Sequence, residues 1–178
     1  MTDTTHLPEP WLRGTLSEVP AVQRAVIHAL QAAEEDLEKW CGGLTDEELY
    51  ARPAGLPPVA FHIHHIAGSL DRLLTYAEGG DLSPAQLAEM KAEGTAGDTV
   101  RHALRKTEHA LQAASDRVRQ LTPAELEQPR GVGRKQLPTS VGGLLVHVAD
   151  HTQRHVGQAI TTAKLLVANR TAQTETRD

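Results

Sequence analysis

The stretch "SVGGLLVHVADHTQRHVGQAITTAKLLV", residues 140–167, contains the pattern that decides the fold. Its apolar residues recur three and four positions apart, which is the spacing of an α-helix with one buried face. His147, His151 and His155 follow at steps of four and form a slowly drifting row along that helix. His151 and His155 share the apolar side. The stretch therefore predicts a long helix that directs imidazoles into a protein interior.

The remaining sequence has the same helical character. With 178 residues, 39% hydrophobic and 23% charged, the chain has the size and composition of one globular domain. Strand-type alternation of β-branched and aromatic residues is missing, so we expect an all-α protein. Long helices are predicted from about residue 17–20 to Gly42, over 58–76, over 95–121 and over 140–167. Four such helices predict a four-helix bundle with short connecting helices.

Short segments between the long helices carry their own start signals. Each has Ser or Thr followed three residues later by Glu or Gln, which is the capping-box pattern. The pairs are Thr45 with Glu48, Ser83 with Gln86, and Thr122 with Glu125. The first and third pairs each follow a long helix and precede a helix that carries histidines. This arrangement is typical of an internal repeat and favours a pseudo-symmetric bundle.

The two ends of the chain are polar and lie outside the helical pattern. We expect residues 1–16 to form an N-terminal extension, residues 17–168 the bundle domain and residues 169–178 a polar C-terminal tail. The first residues lack the apolar core of a signal peptide, and no run of about 18 apolar residues occurs. The sequence therefore predicts a cytoplasmic protein that does not enter the membrane.

Charge and cysteine content narrow the classes of function. The formal net charge is −5, so no overall positive field attracts nucleic acid or an anionic bilayer, and neither is expected as a partner. Cys41 is the only cysteine, which excludes an intramolecular disulfide and a cysteine-based zinc cluster. This content fits a reducing compartment.

A second group of histidines lies in "FHIHHIAGSLDRLL", residues 61–74. His62 and His65 are three positions apart and share a face that continues through apolar positions, so we expect both to face the core. His64 is turned by about 100° from His65 and is expected at the surface. The two histidine-bearing faces can then meet at the centre of the bundle.

Several bare imidazoles in a core are costly, because each buried ring nitrogen needs a partner. A divalent transition metal supplies that partner, since neutral imidazole is a strong ligand for such ions. Helix geometry favours two ligands four residues apart on one helix and a third from a facing helix. The predicted metal ligands are His65, His151 and His155. Three protein ligands leave a position open for water or a substrate.

Other polar residues near this site have alternative interpretations. His62 and His147 line the pocket, hydrogen-bond a ligand's second nitrogen, or coordinate the metal directly. Asp71 and Asp150 orient ligands or are surface charges. His28 is expected to be a hydrogen-bonded core residue. The histidines expected to face solvent are His6, His102 and His109.

The two segments "HHIAGSLDRLL" (64–74) and "VHVADHTQRHVGQ" (146–158) resemble the signatures of the DinB-like, or DinB/YfiT, superfamily. In that family one histidine of the second bundle helix and an H-x3-H pair of the last helix hold a divalent metal, and Gly-Gln often follows the pair. The matching residues here are His65, His151 and His155, with Gly157 and Gln158 after them. Gln158 thus joins His62 and His147 as a candidate pocket or second-sphere residue.

The resemblance implies an up-down-down-up bundle, a homodimer and a bound nickel or zinc ion, with iron or manganese as further candidates. It implies a small-molecule substrate and either a metal-dependent hydrolase or a transferase that uses a low-molecular-weight thiol such as bacillithiol or mycothiol. The sequence contains no nucleophile elbow and no His-Glu-x-x-His base, so it identifies no catalytic side chain. The alternatives are a non-catalytic protein with a structural or sensing metal, and a metal-free bundle with a polar core.

Overall fold

The computed structural model describes residues 7–95 and 97–175, and the side chains among them up to residue 172. In this part of the chain most residues are helical. Four long helices form a bundle: α1 (Ala21–Cys41), α3 (Val59–Ala77), α5 (Val100–Gln120) and α6 (Val141–Glu175). Two short helices connect them, α2 (Asp46–Tyr50) and α4 (Pro84–Ala92). Single 3-10 turns occupy Pro10–Leu12, Pro53–Gly55 and Pro123–Glu125.

The first and last long helices lie side by side and run in the same direction. Near the middle of α1, the amide of Gln153 donates a hydrogen bond to the carbonyl of Ala29, with an N···O distance of 2.7 Å. Eleven residues further along both helices, the ammonium of Lys164 lies 3.9 Å from the ring centre of Trp40. Because the positions advance together, α1 and α6 are parallel.

Helix α3 packs against the other side of α6 and runs in the opposite direction. His62, near the start of α3, contacts His155, whereas His65, further along α3, contacts the earlier His151. The positions advance in opposite senses along the two helices. This antiparallel pairing brings the two predicted histidine faces together.

Helix α5 completes the bundle between α3 and α1. The hydroxyl of Thr107 donates to the carbonyl of Ile63, and further along both helices Arg117 forms an ion pair of 2.8 Å with Asp71. Helix α5 is therefore parallel to α3. The four directions in chain order are up, down, down and up, which confirms the fold that the resemblance implied.

The predicted apolar stripes form the core of the bundle. The residues at helical spacing along one side of α5 and α6 are all buried: Val100, Leu104, Leu111, Val118, Leu144, Val148, Ala159, Thr162 and Leu166. Val22, which shares the apolar spacing of α1, lies in the first turn of that helix and is 36% exposed. A fully buried Leu or Ile contributes roughly 1.5–3 kcal/mol, so the aligned stripes supply most of the force that assembles the bundle.

The three predicted capping pairs form. The backbone N–H of Glu48 donates to the hydroxyl of Thr45, and the Glu48 carboxylate accepts from the N–H of Thr45. Ser83 and Gln86 make the same reciprocal pair at the start of α4. The Glu125 carboxylate accepts from the backbone N–H of Thr122 at 2.7 Å. These local bonds fix where the short connectors begin.

The predicted all-α bundle carries a small β-hairpin that the sequence pattern did not indicate. Strand β1 (Pro129–Val132) pairs antiparallel with β2 (Leu137–Ser140), Pro129 lying opposite Ser140. Each strand has only four residues and contains a proline, so periodicity could not reveal it. Tertiary contacts hold it instead: Arg130 Nε donates to the carbonyl of Ala77 at 2.8 Å, and the N–H of Val141 donates to the carbonyl of Gln128.

Two helix boundaries differ from the prediction. Helix α5 begins at Val100 and not near residue 95, because the Thr99 hydroxyl caps it by accepting the N–H of His102. Helix α6 continues to Glu175, beyond residue 167, so most of the segment expected as a polar tail is helical. Arg170, in this extension, forms an ion pair of 3.1 Å with Glu48.

At the other end of the chain, the segment expected as an N-terminal extension packs against α1. Arg13 places two nitrogens on the two carboxylate oxygens of Glu35, at 2.6 and 2.7 Å. His6, expected to face solvent, lies outside the described residues. No helix among the described residues combines the length and the apolar character that crossing a membrane would require.

Candidate metal centre

Three histidines from two helices converge between α3 and α6. Each of His65, His151 and His155 offers one ring nitrogen, and these nitrogens all lie within 4.8 Å of one another. The ring centres of His65 and His155 are 4.4 Å apart, and those of His151 and His155 are 4.6 Å apart. The three predicted ligands are therefore brought together at one point.

The spacing of the nitrogens fits a metal ion. Nε2 of His65 lies 3.3 Å from Nε2 of His151. Two nitrogens bound to one tetrahedral zinc at about 2.0–2.1 Å are separated by about 3.3–3.4 Å, so this pair already has the edge length of such a site. Among the described residues, no other group of three or more His, Cys, Asp or Glu has ligand atoms this close.

Glu93, the residue directly after α4, orients the first ligand. Nδ1 of His65 lies 2.6 Å from Oε2 of Glu93, so the proton sits on Nδ1 and the lone pair of Nε2 faces the other histidines. Oε1 of Glu93 forms an ion pair of 2.7 Å with the buried Arg72. A carboxylate on the outer nitrogen is the usual support of a metal-binding histidine.

Gly68 provides the space for this support. A Cβ atom at Gly68 would lie 2.7 Å from Nη1 of Arg72 and 2.8 Å from Oε1 of Glu93. Both distances are shorter than real Cβ contacts allow, so the Arg72–Glu93 pair depends on the missing side chain. The burial of Glu93 by itself raises the pKa of its carboxyl, but the hydrogen bonds from His65 and Arg72 outweigh burial, and the net pKa is lowered.

His62 supports the third ligand from the opposite side. Nδ1 of His62 lies 3.0 Å from Nδ1 of His155, so one ring donates to the other and Nε2 of His155 is left for a ligand role. Burial, followed by the charges of His155 and His65, lowers the pKa of His62 to about 4. The ring of Phe61 stacks on His65 at 5.5 Å and covers the apolar side of the cluster.

Two of the three candidate ligands, His151 and His155, are held in the neutral form that metal binding requires. Burial lowers the pKa of His151 to about 4, with further lowering from His155, His65 and neighbouring positive groups. Burial also lowers the pKa of His155. Nδ1 of His151 is enclosed and has no hydrogen-bond partner among the described residues. At neutral pH these rings therefore present lone pairs and not positive charge.

A pocket of about 240 Å³ lies next to the cluster. Two of the candidate ligands form part of its wall, and apolar and polar residues of α3, α4, the connecting loop and α6 form the rest. The lining residues other than these ligands are Ser69, Arg72, Leu73, Tyr76, Leu82, Met90 and His147. The histidine cluster therefore has an open side that a small molecule can reach.

The other residues proposed for the site lie at its margin or away from it. His147 lines the pocket and has its ring centre 5.2 Å from that of His151, but its side chain is about half exposed. Gln158 is exposed on α6. Asp150 pairs with Arg154, and Asp71 pairs with Arg117, so neither aspartate is seen to orient a ligand.

The expectation that His64 lies at the surface is wrong. Its side chain is only 13% exposed, because α4 and the loop after it cover this face of α3. Its two nitrogens face the backbone carbonyl of Glu93 and the carboxylate of Asp98, each at 3.1 Å. His28 is a buried residue that contacts the Thr15 hydroxyl, as expected, and His102 and His109 are exposed.

Glu93 and Arg72 are the functional residues that sequence reasoning missed. Glu93 lies 28 positions from His65, at the end of a short helix with no distinct apolar face, so no spacing rule connects the two residues. Arg72 gave a weak signal, since it follows His65 at helical spacing in "HHIAGSLDR" and so shares its face. A charged residue on an apolar helix face indicates a buried partner.

Comparisons with known proteins agree with this architecture. The structure of a conserved protein from Enterococcus faecalis superposes with a TM-score of 0.62 and 20% sequence identity, covering 84% of this chain and 99% of that chain. At this identity the likeness concerns the fold alone. The search among curated proteins found no match. The sequence model of the DinB superfamily matches residues 29–159, which include all three candidate ligands. This chain is therefore a member of the DinB superfamily.

Proposed function

We propose that this protein is a metal-dependent enzyme in which His65, His151 and His155 hold one divalent transition metal beside the substrate pocket. The observation that carries the proposal is the convergence of their three nitrogens within 4.8 Å, with His65 and His151 in the wall of that pocket. Nickel and zinc are the preferred ions because both accept three imidazoles, and iron and manganese are the other candidates.

The number of ligands favours a reactive site over a structural one. Structural zinc sites are closed by four protein ligands, whereas catalytic sites keep one position for water or substrate. Among the described residues only these three donors form a group, and His65 and His151 both border the pocket. A molecule in the pocket therefore has access to the fourth position.

The nucleophile has to come from outside the protein. Cys41 is fully buried, and burial raises the pKa of its thiol to about 12, so it does not supply a thiolate. A bound transition metal is a Lewis acid that lowers the pKa of a coordinated water or thiol toward neutrality. Glu93 holds the His65 ring in position, and His62 does the same for His155. We infer hydrolysis by water or group transfer by a small thiol.

Metal content and turnover test the proposal together. Protein purified without added chelator is assayed for nickel, zinc, iron and manganese, and then for turnover of activated esters alone and of an aromatic halide electrophile with added cysteine. We expect about one ion per chain and turnover that stops on chelation and returns with the metal. Thiol-dependent turnover identifies the transferase, and turnover without thiol identifies the hydrolase.

A matched pair of variants separates the alternatives. His151→Ala should lose both metal and turnover, whereas His109→Ala, an exposed histidine of α5, should keep both. One tightly bound ion that raises the melting temperature without any turnover would support the structural alternative and overturn the enzyme proposal. Metal content equal in His151→Ala and the unaltered protein would overturn the site itself.

The oligomeric state, the compartment and the partners of the enzyme are also proposals. We infer a homodimer that works in the cytoplasm on small molecules, without nucleic acid or membrane partners. The net charge of −5 supports the exclusion of polyanions, and the single enclosed thiol supports a reducing compartment. Sedimentation of the purified protein measures the oligomeric state directly.

A further inference from the structure

The pocket beside the histidine cluster contains a cation whose hydrogen-bonding capacity is only partly used. Arg72 lines the pocket, and its side chain is 8% exposed. Its ion pair with Glu93 uses Nη1. Apart from this ion pair, the enclosed Nη1 has no hydrogen-bond partner within residues 7–95 and 97–175, and no group there is seen to accept a hydrogen bond from Nε or Nη2.

Leaving these donors of Arg72 without acceptors costs free energy, which a bound ligand would recover. A buried guanidinium loses hydration, and each unpaired donor adds to that cost. The edge formed by Nε and Nη2 presents two parallel N–H groups, which match the two oxygens of a carboxylate. The free edge of Arg72 is therefore a ready binding position for a planar anion.

The charge of the pocket also favours an anion. Imidazoles that bind a metal ion do so in their neutral form, and the charge of Arg72 is balanced by Glu93. A divalent ion held by the histidines would leave the pocket with a positive charge that no described lining residue compensates. A negatively charged substrate restores the balance.

The remaining walls define the body of the ligand. Leu73, Leu82 and Met90 provide apolar surface, and Tyr76 adds an aromatic ring. A volume of about 240 Å³ holds only a small molecule. We propose that the substrate or thiol of this enzyme is a small carboxylate with a short apolar chain, and that Arg72 binds the carboxylate while the reacting atom faces the histidine cluster. This inference rests on the proposed metal-dependent function.

Binding of short mercapto acids to the cobalt-substituted protein tests the inference without requiring turnover. The probes are mercaptoacetate, 3-mercaptopropionate and 4-mercaptobutyrate, each compared with the uncharged mercapto alcohol of the same length. Thiolate coordination to cobalt gives a charge-transfer absorption band, whose titration yields a dissociation constant. We expect at least one acid to bind about tenfold or more tightly than its alcohol, as a charge-assisted bidentate contact predicts.

Variants of Arg72 test whether this side chain causes the preference for mercapto acids over mercapto alcohols. Arg72→Lys keeps a positive charge beside Glu93 but loses the planar fork, and Arg72→Gln loses both. In each variant the preference for the acid should fall to within about threefold, while cobalt content remains measurable. Arg117→Lys is the control, because Arg117 forms surface ion pairs with Asp71 and Glu78 away from the pocket and should leave the preference unchanged.

The outcomes distinguish the two proposals. Failure of the protein to bind cobalt would overturn the proposed function. Cobalt and thiolate binding with equal affinities for acids and alcohols would overturn the role of Arg72 and leave the metal site intact. A preference for acids that persists in Arg72→Lys and Arg72→Gln would place the carboxylate elsewhere and also overturn the inference.

Discussion

His64 and His65 are neighbours on α3 and both contact Glu93, yet their surroundings differ. Both nitrogens of His64 face oxygens, one from the Glu93 backbone and one from Asp98. His65 has one such oxygen, from the Glu93 carboxylate, and its other nitrogen faces His151. Oxygen atoms near both nitrogens leave His64 no lone pair directed at the other histidines, so it is not placed to share a metal ion with them. A histidine whose nitrogen faces another nitrogen has a position suited to a metal.

The largest expected effect is a difference in metal affinity between alanine variants of these two histidines. His65→Ala removes one of three candidate ligands and should weaken zinc or nickel binding by at least about 100-fold, since a direct ligand contributes more to affinity than an outer partner, whose loss costs about 10–100-fold. His64→Ala removes no ligand and should change the dissociation constant by less than about threefold. Competition with a chromophoric chelator measures both. Comparable losses of metal affinity in the two variants would contradict the assignment of His65, and not His64, as a ligand.

Glu93 contacts both histidines. Changing its carboxylate measures how much the hydrogen bond to His65 contributes to metal affinity. Glu93→Gln keeps the size of the side chain but removes the negative charge that receives the Nδ1 proton of His65. Loss of such an outer partner reduces metal affinity by about 10–100-fold. The control is Glu89→Gln, an exposed position in the same short helix. Unchanged affinity in Glu93→Gln would show that packing alone orients His65.

Two glycines in the histidine-bearing helices offer a matched pair for stability. Gly68→Ala places a methyl group against Arg72 and Glu93 and should destabilise the protein by about 1–3 kcal/mol. Gly157→Ala, on α6, meets no atom within 4 Å and should stabilise it by about 0.5–1 kcal/mol, because alanine favours a helix. Denaturant unfolding gives both values. Destabilisation of equal size in both would show that the effect of Gly68→Ala does not come from contact with the ion pair.

A smaller effect should appear in the pH dependence of the metal-free protein. The pKa values of His62 and His151 are lowered to about 4 in the folded state, against about 6.5 in an unfolded chain. Between these values the unfolded chain binds more protons, so stability present above pH 6.5 is lost as the pH falls toward 4. We expect the melting temperature of chelator-treated protein to fall by a few degrees over this range.

Histidine variants show whether the cluster causes this slope. His151→Gln removes one of the groups with a lowered pKa and should flatten the dependence of melting temperature on pH. His109→Gln, at an exposed position, should leave it unchanged. A slope that is the same in both variants would show that His151 does not cause the acid sensitivity.

Much of this molecule could be predicted because its determining signals are local. Helical spacing located the long helices and the buried stripe of α6, and capping pairs located the connectors. The same spacing placed His151 and His155 on one face and His65 on the facing helix. The surroundings of His64 and the role of Glu93 could not be predicted, since both depend on how α4 and the following loop fold back over α3. That packing has no periodic signature in the sequence.

The short hairpin before α6 has a consequence for the ion-binding face. Arg130 ties it to the end of α3 through the carbonyl of Ala77, and β2 continues without a break into α6. The hairpin thus connects the end of α3 to the start of α6 and sets the axial offset between these two helices. A slip of a single helical turn is about 5.4 Å, more than the span of the three nitrogens. The segment with the weakest pattern in the chain thereby contributes to which imidazoles become partners.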